Sequence, residues 1–321
     1  MSDKSAIEWT DATWNPIRGC SRVSEGCRNC YAERVAARFS GPGLPYEGLA
    51  VMRNGEPRWS GEVRVIEKHL LDPIRWKTPR RIFVNSMSDL FHEHLFDDDI
   101  ARVFAVMALA PQHTFQILTK RPERMRDLLS HEGMDRRVAG AADRFAYRGS
   151  HKNWSVRGGV WIPAWPLPNV WLGVSAEHQA AADERIPLLL QTPAAVRFVS
   201  AEPLLGPIDF AGWMWMKTFL AADGSGRIPT NELDWVICGG ESGPGARPMH
   251  PEWPLSIRDQ CQAAGVAYFF KQWGEYAPPG ITRVGGLGPV EELREMHRVG
   301  KKAAGRLLDG RTWDEFPMGA A

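Results

Sequence analysis

Three of the chain's five cysteines crowd into one short loop, Gly19-Cys20-Ser21-Arg22-Val23-Ser24-Glu25-Gly26-Cys27-Arg28-Asn29-Cys30-Tyr31. Thiolates are soft donors, suited to zinc or to an iron-sulfur cluster, and a packed core has no use for three of them at this spacing. The number of ligands separates the chemistries. A closed structural zinc site takes four, so Cys20, Cys27 and Cys30 would need a histidine, Cys238 or Cys261 to complete it. A cubane cluster held by three thiolates keeps one iron open to a small molecule, which is the arrangement of a working site. Three unrelated buried thiols is the bland alternative, and the residues alone leave all three open.

A second group of polar residues follows short β-rich runs. Lys120 and Lys271 carry charges that can bind a carboxylate or phosphate, or simply face water. Glu202, held extended by Pro203, suits a ribose or amino group or merely ends a strand. Gly239 and Gly240 let backbone approach a ligand closely, and Glu241 can accept hydrogen bonds from an ammonium or from ribose hydroxyls; a tight turn with a solvated carboxylate is the plainer reading. Lys120, Glu202 and Lys271 are the candidate catalytic residues. Ser88, Ser175, Glu202, Gly239, Gly240, Glu241 and Tyr31 are the candidate cofactor contacts. His92 and His94 flank Glu93, but residues two apart do not share a helix face. Cys238 and Cys261 lie in apolar patterns and read as small core residues.

The elements that must position these groups follow a repeating grammar. Trp14 to Arg18 reads as a short strand before the cysteine loop, and Tyr31 to Phe39 as a helix with Tyr31, Val35 and Phe39 on one face. Ile66 to Lys77 reads as an amphipathic helix interrupted by Pro73. From Arg81 onward, β-rich runs end in polar residues and helical patterns follow: strands at Ile82 to Val84, Thr114 to Leu118, Val170 to Val174, Val196 to Val199, Trp235 to Cys238 and Ala267 to Phe270, with helices at Asp97 to Ala110, Pro122 to Leu129, a stretch ending at Gln191, and Glu252 to Ala264 closed by Gly265. About seven strands at crossover spacing predict an α/β fold, a full or partial parallel βα (TIM-like) barrel with irregular insertions; a doubly wound open sheet is the alternative. In a barrel the strand C-termini meet at one end, and the cysteine loop would share that mouth with Ser88, Lys120, Glu177, Glu202, Glu241 and Lys271.

One domain over residues 1–321 is expected, with insertions at about 130–168 and 206–232 and a C-terminal extension at about 275–321. The first insertion shows no clear period and interleaves Arg136, Arg137, Arg144, Arg148, Lys152 and Arg157 with Trp154, Trp161 and Trp165, as a lid or a phosphate-tracking surface would. The formal net charge is +1, from 39 basic and 38 acidic residues. That balance excludes a global basic field, so a nucleic acid would have to meet a local patch. The polar N-terminus and the absence of any run of about 20 apolar residues predict a cytoplasmic chain with no membrane partner. Three crowded cysteines of five suit a reducing compartment better than a disulfide framework. Nothing in the residues sets the oligomeric state.

The cysteine pattern resembles that of radical S-adenosylmethionine enzymes. In those, three cysteines after the first strand of a βα barrel hold a 4Fe-4S cluster, and S-adenosylmethionine chelates the fourth iron through its amino and carboxylate groups. Their usual motif is C-x3-C-x2-C with an aromatic residue before the third cysteine; here the first gap is six, Asn29 takes the aromatic position, and Tyr31 stands one residue beyond to supply the adenine-facing ring. More narrowly, the chain resembles the phage-associated gene-product thirty-seven/sixty-eight family, through Ile7-Glu8-Trp9-Thr10, Trp14-Asn15-Pro16, the cysteine loop, Phe83 to Phe91, Leu118-Thr119-Lys120-Arg121, Val170 to Ser175, Ser200 to Leu204, Gly239 to Gly243, Phe270 to Gly274 and Leu308 to Trp313. The resemblance implies an iron-sulfur enzyme with a nucleotide or nucleic-acid substrate and a reductant protein such as flavodoxin or ferredoxin. The alternative is a nucleic-acid binding or repair protein whose metal, zinc or an inert cluster, is structural.

Overall fold

A computed structural model of the chain describes residues 5–145, 152–214, 233–278 and 296–317, with the backbone alone at 217–220 and 227–230. The protein is α/β, of the partial TIM-like βα-barrel class. Its sheet has seven parallel strands laid side by side in chain order: β1 (Ala12–Trp14), β2 (Arg81–Val84), β3 (Thr114–Thr119), β4 (Val170–Ser175), β5 (Val196–Ala201), β6 (Trp235–Gly239) and β7 (Ala267–Gln272). Every residue of β4 and of β6 is buried, as continuous apolar runs covered on both faces require. The principal helices are α1 (Tyr31–Arg38), α2 (Asp97–Leu109), α3 (Pro122–Leu129), α4 (Met134–Asp143), α5 (Gln179–Gln191) and α6 (Glu252–Ala264). Three aspartates open α2, where their charge complements the helix dipole. Gly265 ends α6 in the left-handed region at φ 66°.

The chain divides into two compact units, Met1–Val174 with Gln191–Ala195, and Ser175–Leu190 with Val196–Ala321. In the first, β1 pairs with β2 from Ala12 opposite Ile82 to Trp14 opposite Val84, and β2 pairs with β3. In the second, β5 pairs with β6, and β6 with β7 across a register shift between Cys238 and Gly239. No helix among the described residues is long and apolar enough to cross a membrane.

Four local expectations are corrected. The run from Trp14 to Arg18 is not one strand: the sheet strand stops at Trp14, and Ile17–Arg18 turns away to pair antiparallel with Arg64–Val65. Pro16 lacks the N–H that would continue the ladder. Residues 66–77 form two single turns, Glu67–Leu70 and Asp72–Arg75, because Pro73 sits in the first turn of the second. The insertion at 130–168 is structured: α4 is followed by a hairpin of Trp154–Arg157 with Val160–Pro163. Within 206–232 there is a helical turn, Ala211–Met214, and a hairpin of Lys217–Leu220 with Arg227–Thr230. Arg148 and the rest of residues 146–151, and residues 279–295 of the C-terminal extension, lie outside the described residues. The remainder of that extension pairs Tyr276–Ala277 with His297–Arg298 and returns to β7, where the Phe270 amide donates to the Trp313 carbonyl at 2.9 Å.

Candidate metal centre

The cysteine loop is held at both ends by constraints that are visible residue by residue. Gly19 sits at φ 94°, and a methyl group added there would lie 2.1 Å from the Glu62 carbonyl oxygen. Only glycine meets both conditions. At the other end, α1 buries Ala32, Glu33 and Ala36. The face with Tyr31 and Phe39 is therefore not the buried one; these rings are 51% and 48% exposed. Small residues at 32 and 36 bring the helix close to a core of Tyr46, Leu49, Ala50 and Trp59, against which Cys20, Cys30 and Met87 also pack.

Glu33 is the one acid on that buried face, 1% exposed, and it is fully used. The Arg22 guanidinium grips both carboxylate oxygens, and the Trp59 amide donates to Oε1 at 2.7 Å. A buried carboxylate with a charged partner and a backbone donor is a satisfied one. It ties the middle of the cysteine loop to α1 and to the hairpin of Ala50–Arg53 with Glu56–Trp59.

Burial pushes the Cys20 thiol up to about 12; the Asp89 carboxylate adds to this, the Arg121 guanidinium opposes it, and the Cys30 and Cys27 sulfurs add again. Burial also raises Cys30, against the backbone amides of Glu33 and Ala32 and the charge of Lys120, while Cys27 raises it further. The three sulfurs are thus near enough to disfavour one another's charge. Free of metal, Cys20 and Cys30 hold their protons at neutral pH, so a metal or cluster that takes them as thiolates must release protons. Among the described residues no three His, Cys, Asp or Glu side chains form a group that would hold a single metal ion. An iron-sulfur cluster fits the donor set itself: three partly buried thiols on one loop, with Lys120 and Arg121 beside them to offset negative charge.

Around Cys20 lies a network that the residue spacing did not reveal. Arg121, whose side chain is 10% exposed, donates through Nη1 to Asp89 Oδ2 at 3.2 Å and reaches Cys20 Sγ at 4.0 Å. Its Nε donates to Glu93 Oε2 at 2.6 Å, and Nη2 to the Ser21 hydroxyl at 2.6 Å. Asp89 is held in turn by the Thr119 hydroxyl at 2.7 Å and by the amides of Phe91 and Lys120. The His94 amide donates to His92 Nδ1, so the ring proton sits on Nε2 and faces the Ser21 hydroxyl at 3.0 Å. The Ser21 hydroxyl in turn donates to Glu93 Oε1 at 3.0 Å. Burial, with Arg121 adding, pushes His92 down to about 4, which keeps it neutral. Despite an opposing cost of burial, the bonds and charge of Arg121 hold Glu93 at about 2. Both ring nitrogens of His92 are occupied.

The other candidates of the first unit divide. The charge of Lys120 is felt at the Cys30 thiol, where it opposes the effect of burial. Ser88 spends its hydroxyl on the Ile17 carbonyl at 3.0 Å, and so fixes the chain entering the loop. Tyr31, the residue after Cys30, donates to the Ser86 carbonyl at 2.6 Å and leaves half its ring exposed. In the insertion, the indoles of Trp154 and Trp165 donate to the carbonyls of Ala108 and Leu129, while Arg137 pairs with Asp97 and Arg157 with Asp135.

In the second unit, Lys271 Nζ meets Glu202 Oε1 at 2.7 Å, both side chains mostly buried. Gly239 faces this pair: a methyl group there would come to 3.4 Å from Lys271 Cβ and 3.5 Å from Glu202 Cδ. Gly240 is packed on backbone, since an added methyl group would lie 2.0 Å from the Trp273 carbonyl oxygen. Glu241 accepts from the Arg247 amide and guanidinium at 2.8–3.0 Å, so its carboxylate serves that loop. Ser175 is buried, and its carbonyl accepts from Arg185, which also pairs with Glu177 at 2.8 Å inside the unit. Cys238 and Cys261 are fully buried core residues, as expected.

The structure joins Glu202 to Lys271, which the residues suggested only singly, and it adds Glu33 and Arg121, to which their spacing assigned no role, with Asp89 and Glu93 as the partners of Arg121. Thr119 closes β3 and Arg121 stands two residues on, at the start of α3, and both bind Asp89. Comparison with the curated proteins and with the solved structures finds no match. A family model described as a protein of unknown function, DUF5131, matches residues 4–317. With nearly its whole length matched, including the cysteine loop, the strand-end residues and the Glu202–Lys271 pair, the chain belongs to the DUF5131 family.

Proposed function

We propose that the protein is an iron-sulfur enzyme of the radical S-adenosylmethionine type. The observation that carries the reading is the set of three partly buried, mutually interacting thiols on one loop, with Lys120 and Arg121 as neighbouring cations. Cys20, Cys27 and Cys30 would hold a 4Fe-4S cluster. When bound, the cluster and S-adenosylmethionine supply an electron and a hydrogen-abstracting radical, chemistry that belongs to the cofactors. The chain's part is binding and orientation. Glu33 and Arg22 fix the loop, the core around Trp59 limits solvent at Cys20 and Cys30, and the half-exposed ring of Tyr31 offers a stacking face for an adenine. Lys271 holds Glu202 in place; a substrate carboxylate or phosphate arriving at Lys271 would free Glu202 to take an ammonium or a proton.

A nucleotide is the substrate class to test first, with a flavodoxin or ferredoxin as reductant in a cytoplasmic setting. The arrangement of the insertion favours a small nucleotide over a tracked polymer, because Arg137 and Arg157 already have carboxylate partners and the indoles of Trp154 and Trp165 bind backbone carbonyls. The test is anaerobic purification with iron and sulfide assays, followed by reduction in the presence of S-adenosylmethionine. Brown protein that yields 5′-deoxyadenosine, lost on Cys27→Ser, is the expected result. Colourless protein carrying stoichiometric zinc overturns the reading.

A further inference from the structure

We infer that Arg121 is a positioning residue of the metal centre: it aims a fixed guanidinium at the Cys20 sulfur and raises the reduction potential of the cluster bound there. The inference rests on the iron-sulfur reading above. Its observations are geometric. Arg121 spends Nε on Glu93, Nη2 on the Ser21 hydroxyl and Nη1 on Asp89, and the same Nη1 stands 4.0 Å from Cys20 Sγ. An arginine on a flexible four-bond stem loses its aim unless its other donors are occupied. Here three partners occupy them, and two of those are themselves held: Asp89 by Thr119 and two backbone amides, Ser21 by His92. Nη2 also reaches the Ser21 carbonyl at 3.4 Å, and with its other donors so occupied the guanidinium is preorganised to present Nη1 to the sulfur.

The consequence for a cluster follows from charge. A reduced cluster carries one more negative charge than the oxidised one, and N–H donors or cations at a ligand sulfur stabilise the reduced form. Removing the guanidinium takes away a positive charge and leaves Asp89 and Glu93 without their partner. Both changes lower the potential.

The experiment uses the full chain, reconstituted anaerobically, as wild type, Arg121→Gln and Arg121→Lys. Iron and sulfide content, melting temperature and the midpoint potential, from a dye-mediated titration followed by electron paramagnetic resonance, are read for each. The expected order of potential is wild type highest, Arg121→Lys intermediate and Arg121→Gln lowest, at similar iron content. Equal potentials in all three proteins overturn the inference while leaving the iron-sulfur reading intact. If Arg121→Gln retains no iron, the potential of Arg121→Lys decides: a value below wild type supports the inference and a value equal to wild type overturns it. A wild type that takes up no iron and sulfide overturns the iron-sulfur reading and this inference with it.

Discussion

At the scale of single residues, the cysteine loop depends on side chains that never touch a metal. Gly19→Ala must either leave φ 94° or push a methyl group into the Glu62 carbonyl, and is expected to cost about 2–4 kcal/mol. Thermal unfolding measures the loss, and iron uptake by the variant should fall with it. Glu33→Gln keeps an acceptor for the Trp59 amide but leaves Arg22 without its counter-charge. Because Arg22 is 26% exposed, the cost should be about 2 kcal/mol, below that of a fully buried pair. Alkylation of Cys27 and Cys30 in that variant should quicken as the loop loosens, with wild-type alkylation rates as the reference.

At the scale of elements, the turn from Asp89 to Leu95 is where pH should act. His92 titrates at about 4 in the folded protein, against about 6.5 in an unfolded chain, so between these values the unfolded state binds the extra proton. Stability from this group is therefore full above pH 6.5 and falls as pH drops toward 4, by on the order of 3 kcal/mol. Burial lowers His113 in the same sense. Glu93 acts in a different window: its contribution is present above about 4.5 and is lost only as pH falls toward 2. Urea unfolding at pH 7.0, 5.5 and 4.5 should show the decline, shallower in His92→Gln with a remainder due to His113; an unchanged slope in that variant would refute the assignment. The same scale shows what could be read in advance. Strands β2 to β7 and the helices α2, α3 and α6 were legible because their apolar runs, acidic starts and Gly265 stop carry strong local signals. Helix α4 was not, because Met134, Val138, Ala141 and Ala142 keep the helical period with alanines that contrast weakly with their neighbours. The fit of Trp154 and Trp165 to carbonyls on α2 and α3 is long-range and leaves no periodic trace. Asp89, Glu93 and Arg121 escaped for the same reason: their meeting is made by the pairing of β2 with β3, not by spacing.

At the scale of the whole molecule, charge sets the expectation. With 39 basic against 38 acidic residues, and with Arg137 and Arg157 paired to carboxylates, the chain should bind single-stranded nucleic acid weakly. The logarithm of affinity against that of salt should have a slope shallower than about −2, in contrast to proteins that neutralise six or more phosphates. A steep slope in fluorescence anisotropy, abolished by replacing Arg136 and Arg137, would instead make the insertion a nucleic-acid surface.

The triple attachment of Glu33 carries a lesson for anyone who would borrow this loop. A synthetic peptide of residues 19–31 would contain every sulfur but neither Glu33 nor Trp59, and so nothing to seat Arg22. The smallest portable piece runs from the Ile17 strand through the hairpin to Val65, where the chain closes on itself by pairing with Arg64–Val65. Even that fragment would lack Arg121, which arrives from the turn between β3 and α3.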